Sequence, residues 1–409
     1  MLAALLLIGG AGRVGAQEPG TNLQVYLLTM GPGAEIYERF GHNAIWIRDT
    51  AARTNLVYNF GMFSFGNGSA TDLIKFGINF AKGPQRYWLG VDSSLDNELL
   101  LYREHRRDLD AQELNFTPAQ RADIAARLAT NALEANRYYA YDYFRDNCST
   151  RVRDILDLEL GGALKRVAAG KAADGTLRFH TRRSITNDKL LFIGIDIAFG
   201  PRVDRPLDQW DEMFLPAKVA ERVTEVTVTG PDGQPVPLVK RKFSLLTIGE
   251  YHVEPRPPSW TGPFLLIGLV VTGLIRLSRS TRPVAIVGRL VGGAWMLVMG
   301  IGGIVLLAFW IVTRHVATHG NFNLLLVSPL ALALVPAFWH RAARQPGGWT
   351  PRIAMAVMVS VGVGAALALF PGVTGQDNTL AAALVALPTF SGALEALASW
   401  NRRRANPEP

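Results

Sequence analysis

Cysteine is almost missing from this chain. Cys148 is the only one in 409 residues, so no intramolecular disulfide can form and no thiolate-based metal centre can be built. Lysine is absent after residue 260, and that stretch carries only three acids, Asp377, Glu395 and Glu408, against eleven arginines. The formal charge of +8 therefore belongs wholly to residues 261–409, while residues 1–260 are neutral. A basic excess confined to the borders of apolar runs is a membrane-topology signal, unlike the basic face of a nucleic-acid binder. Nucleic acid is set aside as a partner. Walker-type and Gly-x-Gly-x-x-Gly phosphate loops are also lacking, as are internal repeats and low-complexity tracts, and no cofactor is implied.

What is present divides into a membrane half and a half outside it. At 49% hydrophobic and 19% charged, the chain is too apolar for an ordinary soluble protein. Five apolar stretches follow residue 260, at 261–277, 284–312, 322–339, 353–370 and 379–398, each near the ~20 residues that cross a bilayer. Arg276, Arg279, Arg282, Arg341, Arg344, Arg352, Arg402, Arg403 and Arg404 border one side, and Arg314 alone borders the other. This bias predicts a cytoplasmic C-terminus and places residues 17–260 outside. The start, MLAALLLIGGAGRVGAQEPG, reads as a signal peptide over residues 1–16, with Val14 and Ala16 at the cleavage positions; a short anchor is the alternative, and the missing basic n-region suggests an abbreviated start. The loop 313–323, TRHVATHGNFN, holds two of the seven histidines. Its His-x-x-x-His spacing lacks the glutamate and carboxylates of a zinc site, so no metal is expected. The loop either caps the third span or lends polar groups to a site at the membrane surface.

In the exported half, residues 23–66 alternate as strand, loop, strand, strand. Residues 117–135 open with a capping-box spacing and proline at the first helical position. The segment YYAYDYFRDNCSTRVRDILDLELGG places Cys148 in the first turn of a helix capped by Asp146 or Asn147 and ended by Gly161 and Gly162. Unpaired N–H groups and the positive dipole end favour thiolate there. A thiolate nucleophile needs a base, and His42, after Gly41 at a strand start, is the best candidate; His105, His180 and His252 sit in charged or loop sequence. The competing reading is a buried structural cysteine. Residues 222–253 read as a hairpin, with PRPPSW as a stiff linker to the membrane. The resulting organisation is a leader at 1–16, a thiol domain at 17–216, a hairpin and linker at 217–260, and a helical membrane domain at 261–409.

The run LLTMGPGAEIYERFGHNAIWI, then VYNFGMFSF, FAKGPQRYWLG and NRYYAYDYFRDNCSTRVRDIL resembles the N-terminal periplasmic domain of Lnb-type bacterial lipoprotein N-acyltransferases. DRPLDQWDEMFLP at 204–216 and HVATHGNFNLLLVSPL at 315–330 are similar to later blocks of that family. The resemblance implies an α+β, permuted papain-like domain of the NlpC type, followed by about five transmembrane helices. It implies acyl transfer through a cysteine thioester to the N-terminal amine of lipoproteins, with membrane phospholipid as a further substrate, at the outer face of the inner membrane. Carried onto this chain, Cys148 and His42 are the reactive pair, and Tyr58 or Asn59 orients the imidazole. Asn147, Arg151, His315, Asn321 and Asn323 match family positions and are the candidates for substrate binding. The bland alternatives are capping for Asp146 and Asn147, ion pairing for Arg151 and Arg153, and backbone satisfaction for the outer-loop residues. Two rival functions share these residues: a membrane-anchored NlpC-type cell-wall peptidase, and a non-enzymatic sensor or assembly protein.

Overall fold

The computed structural model describes residues 18–339 and 348–405. The expected leader at 1–16 lies outside the described residues, as do Arg341 and Arg344. The half before the membrane segments is built on a seven-stranded antiparallel sheet. Its strands are β1 (Leu23–Met30), β2 (His42–Asp49), β3 (Thr54–Met62), β4 (Arg86–Asp92), β5 (Leu109–Leu114), β6 (Tyr138–Ala140) and a last strand, Val239–Leu246. Their order across the sheet is Val239–Leu246, β5, β1, β2, β3, β4, β6.

Successive side chains on a strand point to opposite faces, and here both faces are covered. Val25, Leu27, Ile45, Ile47, Tyr58 and Phe60 pack under helices α3 (Pro118–Asn131) and α4 (Cys148–Glu159). Tyr26, Leu28, Ala44, Trp46 and Val57 pack under α2 (Leu95–Glu104). That explains why β1 reads as a nearly unbroken apolar run. Helix α1 (Ala70–Lys82) lies between β3 and β4 in sequence. Helix α3 begins with the expected reciprocal box, Thr117 capping the Gln120 N–H and Gln120 returning to Thr117. The hairpin expected at 222–253 is smaller than the sequence suggested: Thr227–Thr229 pairs with Pro235–Pro237, and Val239–Leu246 leaves it to join the main sheet beside β5. Within the segment 217–260, Val239–Leu246 is therefore bound into the larger sheet, while the small hairpin forms a sheet of its own.

Among the described residues of the membrane half, four helices are long and apolar enough to cross a bilayer: Thr261–Arg279, Arg282–Ile311, Thr350–Ala368 and Thr379–Arg402. The stretch 322–339, expected as a third helical span, is instead a chain of short turns, Phe322–Leu325, Pro329–Leu334 and Pro336–Trp339. Pro329 and Pro336 each remove a backbone donor and clash with the preceding turn. Irregular backbone is tolerated at membrane depth only inside protein, and Leu326, Val327, Ala331 and Leu334 are all buried. Helix Arg282–Ile311 makes room for it with glycines. A Cβ on Gly292 would meet Phe338, one on Gly300 would meet Leu332, and one on Gly303 would fall 2.3 Å from the Pro329 nitrogen. Small residues of this kind let backbones approach where no hydrophobic drive exists between segments.

The two halves meet at charged and amide side chains. Arg182 bonds Asp196 at 2.7 Å and Asp377 at 2.5 Å, and the buried Arg178 bridges Asp196 and Asp204. Glu395 takes Arg276 and Arg279 at the opposite end of the helices. Gly303→Val should force the interrupted segment away and cost ~1–3 kcal/mol, seen as a lower melting temperature in detergent. Gly273→Ala, facing open space, should leave melting unchanged.

Candidate active site

Two glycines in left-handed conformations lie where distant strands approach one sulfur. Gly41 has φ +84°, a left-handed conformation, and a Cβ there would lie 2.7 Å from the Met30 carbonyl. The turn it permits starts β2 at His42, whose register partner is Met30. Gly61, at φ +89°, sits where β3 loses register with β4. Its missing side chain would lie 3.7 Å from the Cys148 Cβ and 3.5 Å from the Tyr141 ring.

Cys148 opens α4, as its sequence position predicted, and Asn147 is the cap. The Asn147 Oδ1 accepts from the N–H groups of Ser149 and Thr150, both at 2.9 Å. Its Nδ2 donates to the Tyr143 and Phe214 carbonyls at 3.0 and 2.9 Å. Every polar atom of that side chain is engaged in fixing the start of the helix that Cys148 opens, and Asn147 is buried. Asp146 accepts two bonds from Arg151 at 2.6 and 2.8 Å, and the Arg151 guanidinium lies 3.8 Å over the Tyr139 ring. Arg153 donates to the Trp210 carbonyl and stacks on that indole. Both arginines are thus paired within the protein.

His42 lies beside Cys148, near enough that each shifts the proton affinity of the other, and its Nε2 lies 3.0 Å from the Asn59 Oδ1. Asn59 Nδ2 donates in turn to Glu98 Oε1 at 2.6 Å. The sequence left Tyr58 and Asn59 as alternatives for the third position. Strand alternation separates them: Tyr58 enters the core under α4, and Asn59 meets the imidazole. Because Glu98 takes the amide N–H, the Asn59 oxygen must face His42. Only an Nε2–H can donate to that oxygen, which leaves Nδ1 with its lone pair for the thiol proton.

Glu98 was not foreseen from the sequence. It lies on α2 among Leu95, Leu99 and Tyr102, an acid on the inward face of an amphipathic helix, and it is 3% exposed. That misplaced charge was the available signal. Burial raises the Glu98 carboxyl above its ordinary range, opposed by the Asn59 hydrogen bond and the His42 charge.

The electrostatics of the pair follow from its surroundings. Burial pushes the Cys148 thiol up, but the His42 imidazole, the Asn43 backbone N–H and the Ser149 hydroxyl outweigh it and hold the thiol at about 7. Burial likewise disfavours a charged His42, and the adjoining thiolate reverses this, so the imidazole is raised. Each group stabilises the charged form of the other. The donors available to an oxyanion are fewer than the bare helix start implied, because Asn147 has claimed two. The Cys148 N–H has no acceptor among the described residues. The buried Tyr139 hydroxyl borders the same gap at Gly61 as Cys148 and has no acceptor for its proton among the described residues.

The outer-loop residues are placed elsewhere. Asn321 Nδ2 donates to the Ile197 and Ala198 carbonyls at 2.7 and 3.0 Å, and Asn323 Nδ2 donates to Ile197 at 2.9 Å. Both amides close the C-terminal end of helix Lys189–Ala198, where four carbonyls lack intrahelical partners. They join the two halves. His315 is buried with its ring 5.6 Å from Tyr143, one residue removed from the Asn147 cap.

A family model described as the Lnb N-terminal periplasmic domain matches residues 16–187, and one described as the Lnb transmembrane domain matches residues 258–387. The chain belongs to the Lnb family. No curated protein and no solved structure matches it. His42, Asn59, Glu98 and Cys148 all fall within the first Lnb segment, and the interrupted stretch 322–339 falls within the second. If these four side chains act as a unit, alkylation of Cys148 by iodoacetamide should rise with pH about a midpoint near 7, since the deprotonated sulfur reacts. His42→Ala should move that midpoint upward towards the ~8.5 of a free thiol. Glu98→Leu, which releases the Asn59 amide, should move it in the same direction by a smaller amount.

Proposed function

We propose that this chain is a lipoprotein N-acyltransferase that carries a fatty acyl group on Cys148. The observation that supports this most directly is the Cys148–His42 pair at a capped helix start, on a domain joined to a membrane bundle. A helix-borne cysteine, a strand-borne histidine and an orienting asparagine are the parts that a permuted papain-like site requires, which supports this reading. The arginine-rich helix ends lie opposite the joint, so the catalytic half faces the periplasm and the C-terminus the cytoplasm. The turns at 322–339 make the fifth pass of the chain through the inner membrane.

In the first half-reaction the Cys148 thiolate attacks an ester carbonyl of a phospholipid or of a lipoprotein's diacylglyceryl group. The developing oxyanion receives the Cys148 N–H and the Tyr139 hydroxyl, an interaction typically worth ~3–4 kcal/mol per donor. The C–O bond breaks, and the departing alkoxide takes the proton from the His42 imidazolium. In the second half-reaction the amine of the lipoprotein's N-terminal cysteine attacks the thioester carbonyl. His42, now neutral, accepts the amine proton, the C–S bond breaks, and the thiolate–imidazolium pair returns. The proton that leaves in one half-reaction is recovered in the other, so no external acid or base is consumed.

Membrane anchoring favours this chemistry over a peptidase, because both substrates are bilayer-bound and the tether keeps carbonyl and sulfur at high effective concentration. Intact-protein mass spectrometry after incubation with phospholipid vesicles should find one acyl group on Cys148, removable by hydroxylamine. Cys148→Ala should lose ~10³-fold or more of lipoprotein acylation and should fail to complement a strain lacking its own lipoprotein N-acyltransferase. Release of cell-wall peptide by the purified protein, with no acyl adduct, would overturn the proposal.

A further inference from the structure

Helix α1 keeps apolar side chains in the open. Ile74 and Ile78, four residues apart on one face, are 62% and 51% exposed, and Ile36 and Tyr37 in the loop before β2 are 51% and 48% exposed. Scattered single apolar residues need no explanation, but a cluster on an amphipathic helix marks an interaction surface.

The position of the helix says what covers it. The Lys82 carbonyl, the last of α1, accepts the Arg314 N–H at 2.9 Å, and the Arg314 side chain fills the space beside Gly83. Arg314 follows the end of membrane span Arg282–Ile311 by three residues. At ~1.5 Å of rise per residue, Ile78 and Ile74 lie ~6 and ~12 Å from Lys82 along the helix. Both are therefore within one or two thicknesses of a headgroup layer, ~5–8 Å on each side of the bilayer core, from the border that Arg314 marks. Lys75 and Lys82 lie on α1 near these two isoleucines, and Asp72 is its only acid, a charge balance suited to an anionic leaflet.

From this patch a file of aromatic rings runs to the nucleophile. Tyr37 meets Phe63 at 5.3 Å between centroids, and Phe63 meets Phe65 at 5.0 Å and Tyr87 at 5.0 Å. Phe76 of α1 closes on Phe65 at 4.7 Å. Tyr87 stacks on Tyr141 at 4.2 Å, and Tyr141 borders the gap at Gly61 that Cys148 also borders.

We propose that α1 and the adjoining loops lie in the membrane interface, and that the ring file guides one acyl chain of a leaflet phospholipid towards Cys148. The second clause rests on the acyltransferase reading; the first does not. The test uses the full-length chain with Cys148→Ser, carrying either Ile78→Cys or Ala52→Cys, each labelled with an environment-sensitive fluorophore. Ala52 lies in the β2–β3 turn, at the far end of the strand that His42 begins. The labelled proteins are reconstituted in phosphatidylcholine–phosphatidylglycerol vesicles with or without brominated acyl chains. Brominated lipid should quench the label at 78 at least twofold and leave the label at 52 unchanged. Equal, weak quenching at both positions would overturn the proposal. No acyl transfer occurs in this measurement, so a Cys148 that never becomes acylated would remove the reaction and leave the interfacial helix standing. An unquenched label would do the reverse.

Discussion

A sulfur that carries charge in a dry site must have a cation in contact with it, and the site described here depends on that requirement. Desolvation alone would leave the Cys148 thiol protonated and inert. The imidazole of His42 overcomes it, and the benefit is mutual, since the thiolate also keeps the ring charged. Such a pair works only if neither partner can drift. The helix start is held by an asparagine with all of its hydrogen-bonding capacity engaged. The ring is held by an amide whose own orientation is set by a buried carboxylate. Contributions from α2, β2, β3 and α4 therefore converge, from both faces of one sheet.

This convergence separates what could be read along the chain from what could not. Local signals were legible. The reciprocal box at Thr117 and Gln120, the cysteine in the first turn of α4 and the strand after Gly41 all depend on neighbours within four residues. Relations between distant segments were less so. Tyr58 and Asn59 are adjacent in sequence, and only the side of the sheet to which each points decides which reaches His42. Glu98 belongs to a helix whose inward face is defined by a strand some forty residues away. The strand Val239–Leu246 alternates like the free hairpin it was taken to belong to, and nothing within it names β5 as its partner.

The membrane half teaches the same lesson through polarity. Hydropathy finds an apolar stretch of adequate length at 322–339 and is silent on its conformation. Two prolines argue against a regular helix, and the glycines that receive it lie on another segment, Arg282–Ile311. Amides in the preceding loop looked like ligand contacts because polar groups near a bilayer are costly to leave unpaired. Here that cost is met for the amide N–H groups by the open end of helix Lys189–Ala198, and the side chains tie the two halves together.

The edge strand has a bearing on biosynthesis. Val239–Leu246 pairs with Leu109–Leu114, so β5 stays uncovered on one side until nearly the whole exported half has been made. An unpaired strand edge is a template for aggregation. The first apolar helix begins at Thr261, a short stretch of chain later, which at ~5–20 residues per second is made within a few seconds. Completion of the sheet and entry of the anchor into the bilayer are thus nearly simultaneous. The nascent chain gains its membrane span at almost the moment β5 gains its second neighbour.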